Sequence, residues 1–282
     1  MILDGKVVAA SIKQRLKEEI EAQVAQGKRA PHLVIVTVGD DPASAVYVRN
    51  KMKMCDELGI KVTHAQWTKE YCPTEEIKAN IRAFNGAPLV DGIMVQLPLP
   101  EGFEERDIID TIDPDKDVDG LTTTNIGRLR SGQPGFKPCT AKGIIDMCRY
   151  YNIELDTRDV VIVGRSNIVG KPLADLMMAE GATVTQCHSR TCCLSYHMTC
   201  ADIVVTAIGK PKYFNHSYFA AMTDAIIDVG INRDENGKLC GDVDFEDMKD
   251  RCDAITPVPG GVGPMTVVEL MANTVESWRQ RI

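Results

Sequence analysis

Residues 158–190 read RDVVIVGRSNIVGKPLADLMMAEGATVTQCHSR. The first part, VVIVG, is an apolar run rich in β-branched residues, which predicts a buried strand. A turn, GRSNIVGKP, and a helix, LADLMMAEG, follow it, and ATVTQCH has the composition of a second strand. Two strands joined through a helix form a βαβ unit, so this half of the chain is predicted to contain a parallel sheet.

The turn between the first strand and the helix resembles the dinucleotide-binding fingerprint, with two departures. Its glycines are Gly164 and Gly170; Ser166 stands where a second glycine is usual, and one extra residue precedes Gly170. Backbone N–H groups at the start of the helix would face a pyrophosphate. The strands on both sides of the turn favour a dinucleotide site over an unrelated glycine turn.

The second strand ends without the acidic residue that usually binds the ribose 2′-hydroxyl of NAD. His188, Ser189 and Arg190 occupy that place. Arg165 in the turn, Ser189 and Arg190 are suited to a 2′-phosphate, because guanidinium groups donate forked hydrogen bonds to phosphate. We therefore expect NADP rather than NAD as the cofactor. The alternative is that either arginine is simply a surface residue.

The rest of this half continues the same pattern. Residues 201–209 and 224–231 read as further buried strands, and GDVDF and DAITPV are expected to continue the sheet or its edge. The stretch PVPGGVGPMT, 257–266, leaves the backbone bare, which lets a flat ligand approach closely. A tight turn before a last helix, with Pro264 in its first turn, is the alternative.

The N-terminal half alternates helices with apolar strands, which predicts a second α/β lobe with a parallel sheet. The first helix covers 6–27, and residues 122–139, rich in Gly, Pro and Thr, are expected to connect the lobes. A helix from Thr140 to Tyr151 follows, with Thr140 as its N-cap. The expected lobes are 1–121 and 140–270, with 271–282 packing back on the first.

The stretch SAVYVRNK, 44–51, begins a helix that Asp41 can cap and Pro42 can start. On a helix, Ser44, Tyr47 and Lys51 share one face. Alone, such a stripe is more often a solvated helix face. Ligands of parallel sheets sit at the carboxyl ends of the strands, however. Three segments are expected there: Gly39–Asp41, Gln96 and the acidic loop DPDKDVDGL, 113–121.

Bulk properties exclude several classes of protein. The net charge is −8 with no long basic run, so nucleic acid is not an expected partner. No run of about 18 apolar residues predicts a membrane span, and the start lacks a secretory-type core. The ten cysteines lack a repeating spacing, which favours reduced thiols in a cytoplasmic protein. Cys187, Cys192, Cys193 and Cys200 lack a C-x-x-C pair, so we expect no metal.

Seven segments together resemble one family, in order and spacing: YVRNK, VQLPLP, DKDVDG, GRSNIVGKP, CHSRT, DVGIN and TPVPGGVGPMT. The family is that of bifunctional methylenetetrahydrofolate dehydrogenase/methenyltetrahydrofolate cyclohydrolases. The resemblance implies an α/β fold of two lobes flanking a cleft: an N-terminal folate lobe and a C-terminal Rossmann-like dinucleotide-binding lobe. It also implies a homodimer without a metal, which oxidises methylene- to methenyltetrahydrofolate with NADP and hydrolyses that product to the 10-formyl form.

The resemblance also implies site residues. Lys51, Tyr47 and Gln96 would be catalytic, with Lys51 as base or proton relay and Gln96 fixing its direction. Substrate binding would involve those three together with Ser44, Val95, Leu97, Asp119, Pro259, Gly260, Gly261 and Gly263. Cofactor binding would involve Gly164, Arg165, Ser166, Gly170, Ser189, Arg190, Ile231 and Thr140. Leu121–Thr123 replace the Phe-His-Pro usual after the DVDG segment, which we expect to change the pocket wall beside Asp119.

Three rival functions remain in view. A short-chain dehydrogenase also uses Y-x-x-x-K, but its glycine-rich turn precedes the pair, whereas here the pair comes more than a hundred residues before the turn. A dehydrogenase without hydrolase activity is disfavoured by the presence of Lys51 and Gln96. A nucleotide-sensing module without turnover is disfavoured by the same two residues together with Asp119. Assays of each activity distinguish the three.

Overall fold

The computed structural model describes residues 1–68, 73–220 and 223–282. The chain divides into two compact units. The first combines Ser11–Lys137 with Val267–Ile282, and the second combines Met1–Ala10 with Pro138–Thr266. Relative to the expected lobes, the first ten residues change unit, and residues 122–137 fall within the first unit. The C-terminal segment 271–282 belongs to the first unit, as expected.

The first unit contains a three-stranded parallel sheet with β1 in the centre, in the order β2-β1-β3. All seven residues of β1 are buried, consistent with the apolar run Leu33–Val36 at its centre. The edge strand β2 is partly exposed, consistent with its alternating sequence. The strands are β1 (His32–Val38), β2 (Lys61–Trp67) and β3 (Gly92–Val95), and the helices are α2 (Pro42–Leu58), α3 (Thr74–Gly86), α4 (Glu105–Ile109) and α5 (Thr123–Arg130). The first helix, α1 (Gly5–Ala25), begins in the second unit and belongs to this one from Ser11 onward.

The second unit contains a five-stranded parallel sheet in the order β10-β7-β6-β4-β5. Val161, Val204 and Ile226 from its three central strands lie in one core with Phe214 and Met248. The elements are α6 (Cys139–Tyr150), β4 (Asp159–Val163), α7 (Gly170–Ala179), β5 (Thr183–Cys187), α8 (Leu194–Thr199), β6 (Ile203–Thr206), β7 (Thr223–Asp228), β8 (Asn232–Arg233), β9 (Leu239–Cys240), α9 (Phe245–Met248) and β10 (Cys252–Ile255). The last helix, α10 (Val262–Arg279), begins in this unit and belongs to the first unit from Val267 onward.

Three local predictions were wrong. The predicted connection 122–139 contains helix α5, which the sequence hides because Thr, Asn and Gly are weak helix formers. Thr140 is not a cap: Pro138 precedes helix α6, and the Thr140 hydroxyl lies 3.0 Å from that of Thr266. GDVDF does not extend the parallel sheet, because β9 pairs antiparallel with β8 before α9 begins at Phe245.

In the described part of the chain, none of the helices combines the length and the apolar character needed to cross a bilayer.

Candidate active site and cofactor site

The predicted lysine–glutamine pair is present in the first unit. Helix α2 begins as expected: an Asp41 carboxylate oxygen accepts a hydrogen bond from the Ser44 backbone N–H at 2.7 Å. Two turns after Ser44, the Lys51 side chain is buried, with 8% of its surface exposed. Its Nζ donates to Gln96 Oε1 at 2.9 Å and lies 3.6 Å from Met94 Sδ. The amine is therefore held at the carboxyl end of β3.

Gln96 is oriented from both ends. Its backbone N–H donates to the Val36 carbonyl at 2.8 Å, which continues the β1–β3 ladder. Its side-chain Nε2 donates to the Leu97 carbonyl at 2.7 Å, so the amide oxygen faces Lys51. An amide oxygen accepts but does not titrate near neutral pH, so it aligns the lysine without adding a charge.

The other two residues of the helix stripe have different surroundings. Tyr47 is 40% exposed, which leaves its ring available to a ligand. Ser44 lines a cavity of about 260 Å³ in the first unit, which Gln96 also borders. His64, Thr37 and Arg49 line the same cavity, and the Thr37 hydroxyl lies 2.9 Å from His64 Nε2. Sequence reasoning missed these three, although β2 alternates and His64 follows a polar threonine in it.

The acidic loop 113–121 is organised around Asp117, two residues before the predicted substrate residue Asp119. The Asp117 carboxylate is buried and accepts backbone N–H bonds from Gly120, Leu121 and Thr122, at 3.0, 3.2 and 2.8 Å. Burial raises the pKa of this carboxyl, whereas the bonds it accepts lower it. Asp119 lies within the turn that these bonds close, and it is partly exposed.

The residues that depart from the family pattern, Leu121–Thr123, complete this loop. The Thr122 hydroxyl caps α5 by accepting from the Asn125 N–H at 3.2 Å, and the Asn125 side chain donates to Asp117 at 2.9 Å. Leu121 packs in the core of the unit. The departure therefore serves the anchoring of Asp117 and the start of α5.

A second buried lysine has a structural role. Lys116 Nζ donates to three carbonyls at the end of α3, those of Phe84, Asn85 and Ala87, at 3.2, 2.8 and 2.7 Å. Burial lowers the pKa of Lys116. Its three donors satisfy carbonyls that lack helical partners, so it caps the helix. This contrasts with Lys51, whose amine meets a side chain at a strand end.

In the second unit, the glycines of the fingerprint turn are required by close backbone packing. Gly164 has a φ of 144°, and a Cβ there would lie 2.5 Å from the Ala207 carbonyl oxygen. A Cβ on Gly170 would lie 2.3 Å from the Gly164 carbonyl oxygen. The Ser166 hydroxyl accepts from the N–H groups of Val169 and Gly170, at 3.2 and 3.4 Å. Ser166 therefore closes the turn that begins α7.

The predicted phosphate-binding residues follow neighbouring strands. Val163 of β4 pairs with Cys187 of β5, so Arg165 and Ser189 lie just beyond adjacent strand ends. Arg165, Ser189 and Arg190 are all exposed. The loop after β5 is held by two bonds: the His188 N–H donates to the Thr191 hydroxyl at 2.8 Å, and the Arg190 N–H donates to His188 Nδ1 at 3.1 Å. This arrangement fits an anionic group bound beyond the carboxyl ends of β4 and β5.

Two buried carboxylates that sequence reasoning missed hold the loops after β6 and β7. Asp242 accepts from the N–H groups of Ile208, Gly209 and Lys210, at 2.6, 3.2 and 2.8 Å. Asp228 accepts from the N–H of Asp242 at 3.0 Å, and burial raises the pKa of Asp228 to about 6. The signal was in the sequence, as acidic residues inside apolar segments.

The same carboxylates explain two glycines near the predicted cofactor residue Ile231. A Cβ on Gly230 would lie 2.3 Å from Asp242 Oδ1, and one on Gly241 would lie 1.8 Å from Asp228 Oδ2. The Gly230 N–H donates to Asp228 at 3.0 Å. Ile231 itself is 47% exposed at the carboxyl end of the sheet. The exposed, apolar Ile231 side chain therefore extends from a loop that hydrogen bonds and close packing hold in place.

The glycine-rich segment 257–263 uses its bare backbone for internal packing. A Cβ on Gly261 would lie 2.6 Å from the Pro257 carbonyl oxygen, and Gly260 has a φ of 113°. A Cβ on Gly263 would lie 3.6 Å from Ile231 Cδ1, an ordinary contact distance. Pro259 is exposed beside them. The segment is thus more than a tight turn, and Gly263 is close to the predicted cofactor residue Ile231.

Residues 187–200 include four cysteines, Cys187, Cys192, Cys193 and Cys200. Among residues 1–68, 73–220 and 223–282, no group of three or more His, Cys, Asp or Glu residues is arranged to hold a metal ion. Cys187 is buried, whereas Cys192, Cys193 and Cys200 are exposed.

Comparison with known proteins covers almost the whole chain. Residues 3–119 match the family model of the tetrahydrofolate dehydrogenase/cyclohydrolase catalytic domain, and residues 138–282 match that of the corresponding NAD(P)-binding domain. The bifunctional protein FolD of Agathobacter rectalis is 47% identical over 279 residues, which is 99% of this chain and 99% of that protein.

Two solved structures are similar throughout. The bifunctional FolD methylenetetrahydrofolate dehydrogenase/cyclohydrolase of Campylobacter jejuni has 42% identity and a TM-score of 0.97, covering 100% of this chain and 99% of that one. FolD of Trypanosoma brucei, determined with NADP cofactor and inhibitor, has 34% identity and a TM-score of 0.92, covering 99% and 97%.

Proposed function

Because this chain belongs to the tetrahydrofolate dehydrogenase/cyclohydrolase family, we propose that it catalyses two successive steps of one-carbon folate metabolism. It oxidises 5,10-methylenetetrahydrofolate to 5,10-methenyltetrahydrofolate with NADP, and then hydrolyses the product to 10-formyltetrahydrofolate. The observation that carries the hydrolytic half is the buried Lys51 amine, held 2.9 Å from Gln96 Oε1.

Lys51 is assigned the proton transfers of the hydrolysis. Water must add to the methenyl carbon and a C–N bond must then open, so a proton must leave the water and another must reach nitrogen. A buried amine can take the first and return it if it is partly deprotonated, which apolar surroundings favour. Gln96 accepts a hydrogen bond from the Lys51 amine and so fixes the direction of that amine. Tyr47 packs on the pterin ring of the substrate.

The folate is bound by both polar and apolar groups of the protein. Asp119 offers a carboxylate to the amino-pyrimidine edge of the pterin, whose adjacent N–H groups suit a bidentate acceptor. Its turn is fixed by Asp117, so little ordering is required on binding. We also assign substrate contacts to Ser44, Val95 and Leu97, and to the segment that contains the exposed Pro259 with Gly260, Gly261 and Gly263.

The dehydrogenase half depends on positioning. NADP held in this unit would supply the acceptor for the hydride from the methylene carbon, and the transfer needs no acid or base at that carbon. Gly164 and Gly170 allow the backbone approach required by the pyrophosphate, with Ser166 holding the turn. Arg165, Ser189 and Arg190 receive the 2′-phosphate. Ile231 contacts the nicotinamide end of the cofactor from a loop that Asp228 and Asp242 hold in place. Thr140 is the remaining cofactor-binding residue.

We further propose that the enzyme is a cytoplasmic homodimer. The family resemblance supports the dimer, and the exposed thiols of Cys192, Cys193 and Cys200 suit a reducing compartment. Sedimentation equilibrium tests the first: a mass of one chain at micromolar concentration would contradict it. Fractionation of the source cells tests the second.

Two assays test the function. The purified protein is mixed with methylenetetrahydrofolate and either NADP or NAD, and the reduced cofactor is followed by absorbance. Methenyltetrahydrofolate is then supplied alone, and its disappearance is compared with a blank without enzyme. We expect both activities, with NADP preferred. Dehydrogenation without hydrolysis would identify a monofunctional dehydrogenase, and binding without either reaction would identify a nucleotide-sensing module.

A further inference from the structure

The stretch CCLSYHMTC, 192–200, has no part in either proposed reaction. Its first two residues, Cys192 and Cys193, are both exposed, and their Sγ atoms lie 3.5 Å apart. The backbone of Cys193 is fixed: φ is 53°, and its carbonyl accepts from the N–H groups of Tyr196 and His197 at 2.9 and 3.4 Å. The chain thus presents two adjacent thiols on a fixed backbone.

The spacing of the sulfurs selects the kind of group that can bridge them. Adjacent Cα atoms lie about 3.8 Å apart, below the ~4.4–6.8 Å usual for a disulfide, so a direct S–S bond fits poorly. With bonds of about 2.3 Å, one bridging atom sets the sulfurs about 4.6 Å apart if linear and about 3.8 Å apart if tetrahedral. A pyramidal centre sets them about 3.3 to 3.5 Å apart for the same bond length. The observed 3.5 Å fits the pyramidal case.

The number of protein side chains that can act as ligands further limits the kind of group that can bind to this pair. Within the described ranges, which omit 69–72 and 221–222, no third His, Cys, Asp or Glu joins this pair in an arrangement suited to a metal. The ligand must therefore need two protein donors and bring its remaining substituent with it. We propose that Cys192 and Cys193 form a binding site for monosubstituted trivalent arsenicals, and that its occupation weakens NADP binding.

The reaction needs no oxidant. An arsenical R–As=O reacts with the two thiols to give R–As(S–Cys)₂ and one water molecule. Two S–H bonds and the As–O bonds break, two As–S bonds form, and both protons leave in the water. The neighbouring Cys192 sulfur raises the pKa of the Cys193 thiol.

The effect on the cofactor follows from the position of the pair, and it rests on the proposed role of Ser189 and Arg190. Arg190 precedes Cys192 by two residues, so their Cα atoms lie within about 7 Å. The intervening loop is held by the bonds of His188 with Thr191 and Arg190. An aryl group at the thiols would crowd the phosphate-binding side chains.

The test uses phenylarsine oxide on the full-length protein. We expect one adduct by intact mass, equal to the reagent minus one water. The adduct should be removed by a dithiol but not by an equal concentration of a monothiol. The KM for NADP should rise about tenfold in the adduct, the effect expected from losing a hydrogen bond to a charged group. Hydrolysis of methenyltetrahydrofolate supplied alone should change less than twofold.

Variants separate the possible results. Cys192→Ser and Cys193→Ser should each abolish the dithiol-reversible adduct, whereas Cys200→Ser, at another exposed cysteine, should retain it. An adduct that persists in both single variants overturns the site. An adduct with an unchanged KM for NADP overturns the coupling to the cofactor. A protein without dehydrogenase activity would refute the proposed function, while the mass measurement would still decide the arsenical site.

Discussion

Replacing Gln96 by Glu tests whether Lys51 works as a base. The substitution keeps the size of the side chain but puts a negative charge where the amide oxygen accepts from Lys51 Nζ at 2.9 Å. At an effective dielectric constant of 20, two unit charges at that distance attract by about 6 kcal/mol. Gln96 is only partly buried, so solvent screening reduces this to about 2–3 kcal/mol. The protonated ammonium form gains that stabilisation.

The neutral amine that accepts a proton from water therefore becomes about 30- to 150-fold rarer at neutral pH, since each ~1.4 kcal/mol is a factor of ten. We expect the hydrolase rate at pH 7 to fall by this factor and to recover as pH rises toward 9. NADP-linked oxidation should fall far less, because it needs no base at the carbon. Initial rates are measured at each pH against a blank without enzyme, which corrects for spontaneous hydrolysis.

The matched control is Gln96→Met, which keeps the volume but removes the acceptor. Its hydrolase rate should fall without a shift in the pH profile, because no charge is added. If Gln96→Glu hydrolyses methenyltetrahydrofolate at the wild-type rate at pH 7, Lys51 does not act as a base. If the rate falls in both variants with the same pH dependence, Gln96 acts on the substrate rather than through the lysine.

Three further changes address single side chains. Lys51→Met should lower hydrolysis by about 10²–10⁴-fold, the usual contribution of general acid–base catalysis, while folate binding by titration is largely kept; full hydration activity would contradict the assignment. Arg190→Gln should raise the KM for NADP about tenfold and leave that for NAD unchanged, since only NADP carries the phosphate; equal changes for both would place Arg190 elsewhere. Because burial raises the pKa of Asp228 from 3.8 to about 6, the unfolded state binds fewer protons between those values, so this group lowers the free energy of unfolding by about 2 kcal/mol as pH rises from 4 to 6. Urea unfolding of wild type and Asp228→Asn across this range should show that difference in the dependence of stability on pH, and the same dependence in both proteins would refute it.

The fold was predictable from the sequence because apolar β-branched runs and glycine turns mark parallel strands locally. The boundaries failed where tertiary contacts override local preference. Helix α5 forms from weak helix formers because the Thr122 hydroxyl and the Asp117 carboxylate satisfy N–H groups at and before its start. Thr140 looked like a cap by type, yet Pro138 occupies that place and Thr140 faces Thr266.

Candidate site residues could be chosen from the sequence by the chemistry of their side chains. Which of them lie in contact could not be chosen in this way, because contacts depend on the tertiary structure. Lys51 and Gln96 lie 45 positions apart, and their hydrogen bond depends on the β1–β3 pairing that sets Gln96 at a strand end. The face shared by Ser44 and Tyr47 could be counted on a helical wheel. The cavity that Ser44 borders with His64 could not, because it depends on how α2 packs on β2.

Asp117 and Asp242 show one principle at work in both units. Each carboxylate is buried and accepts three backbone N–H bonds from one turn, so each loop acquires a fixed shape at the cost of a desolvated acid. An asparagine in either place could accept with its oxygen, but its NH₂ would face a backbone donor, so the conservative substitution is not neutral. In the acidic loop, Asp117 therefore supplies the shape and Asp119, two residues later and partly exposed, remains able to bind a ligand. Acidic residues inside apolar segments are accordingly candidates for loop anchors, and their exposed neighbours are the better candidates for substrate contacts.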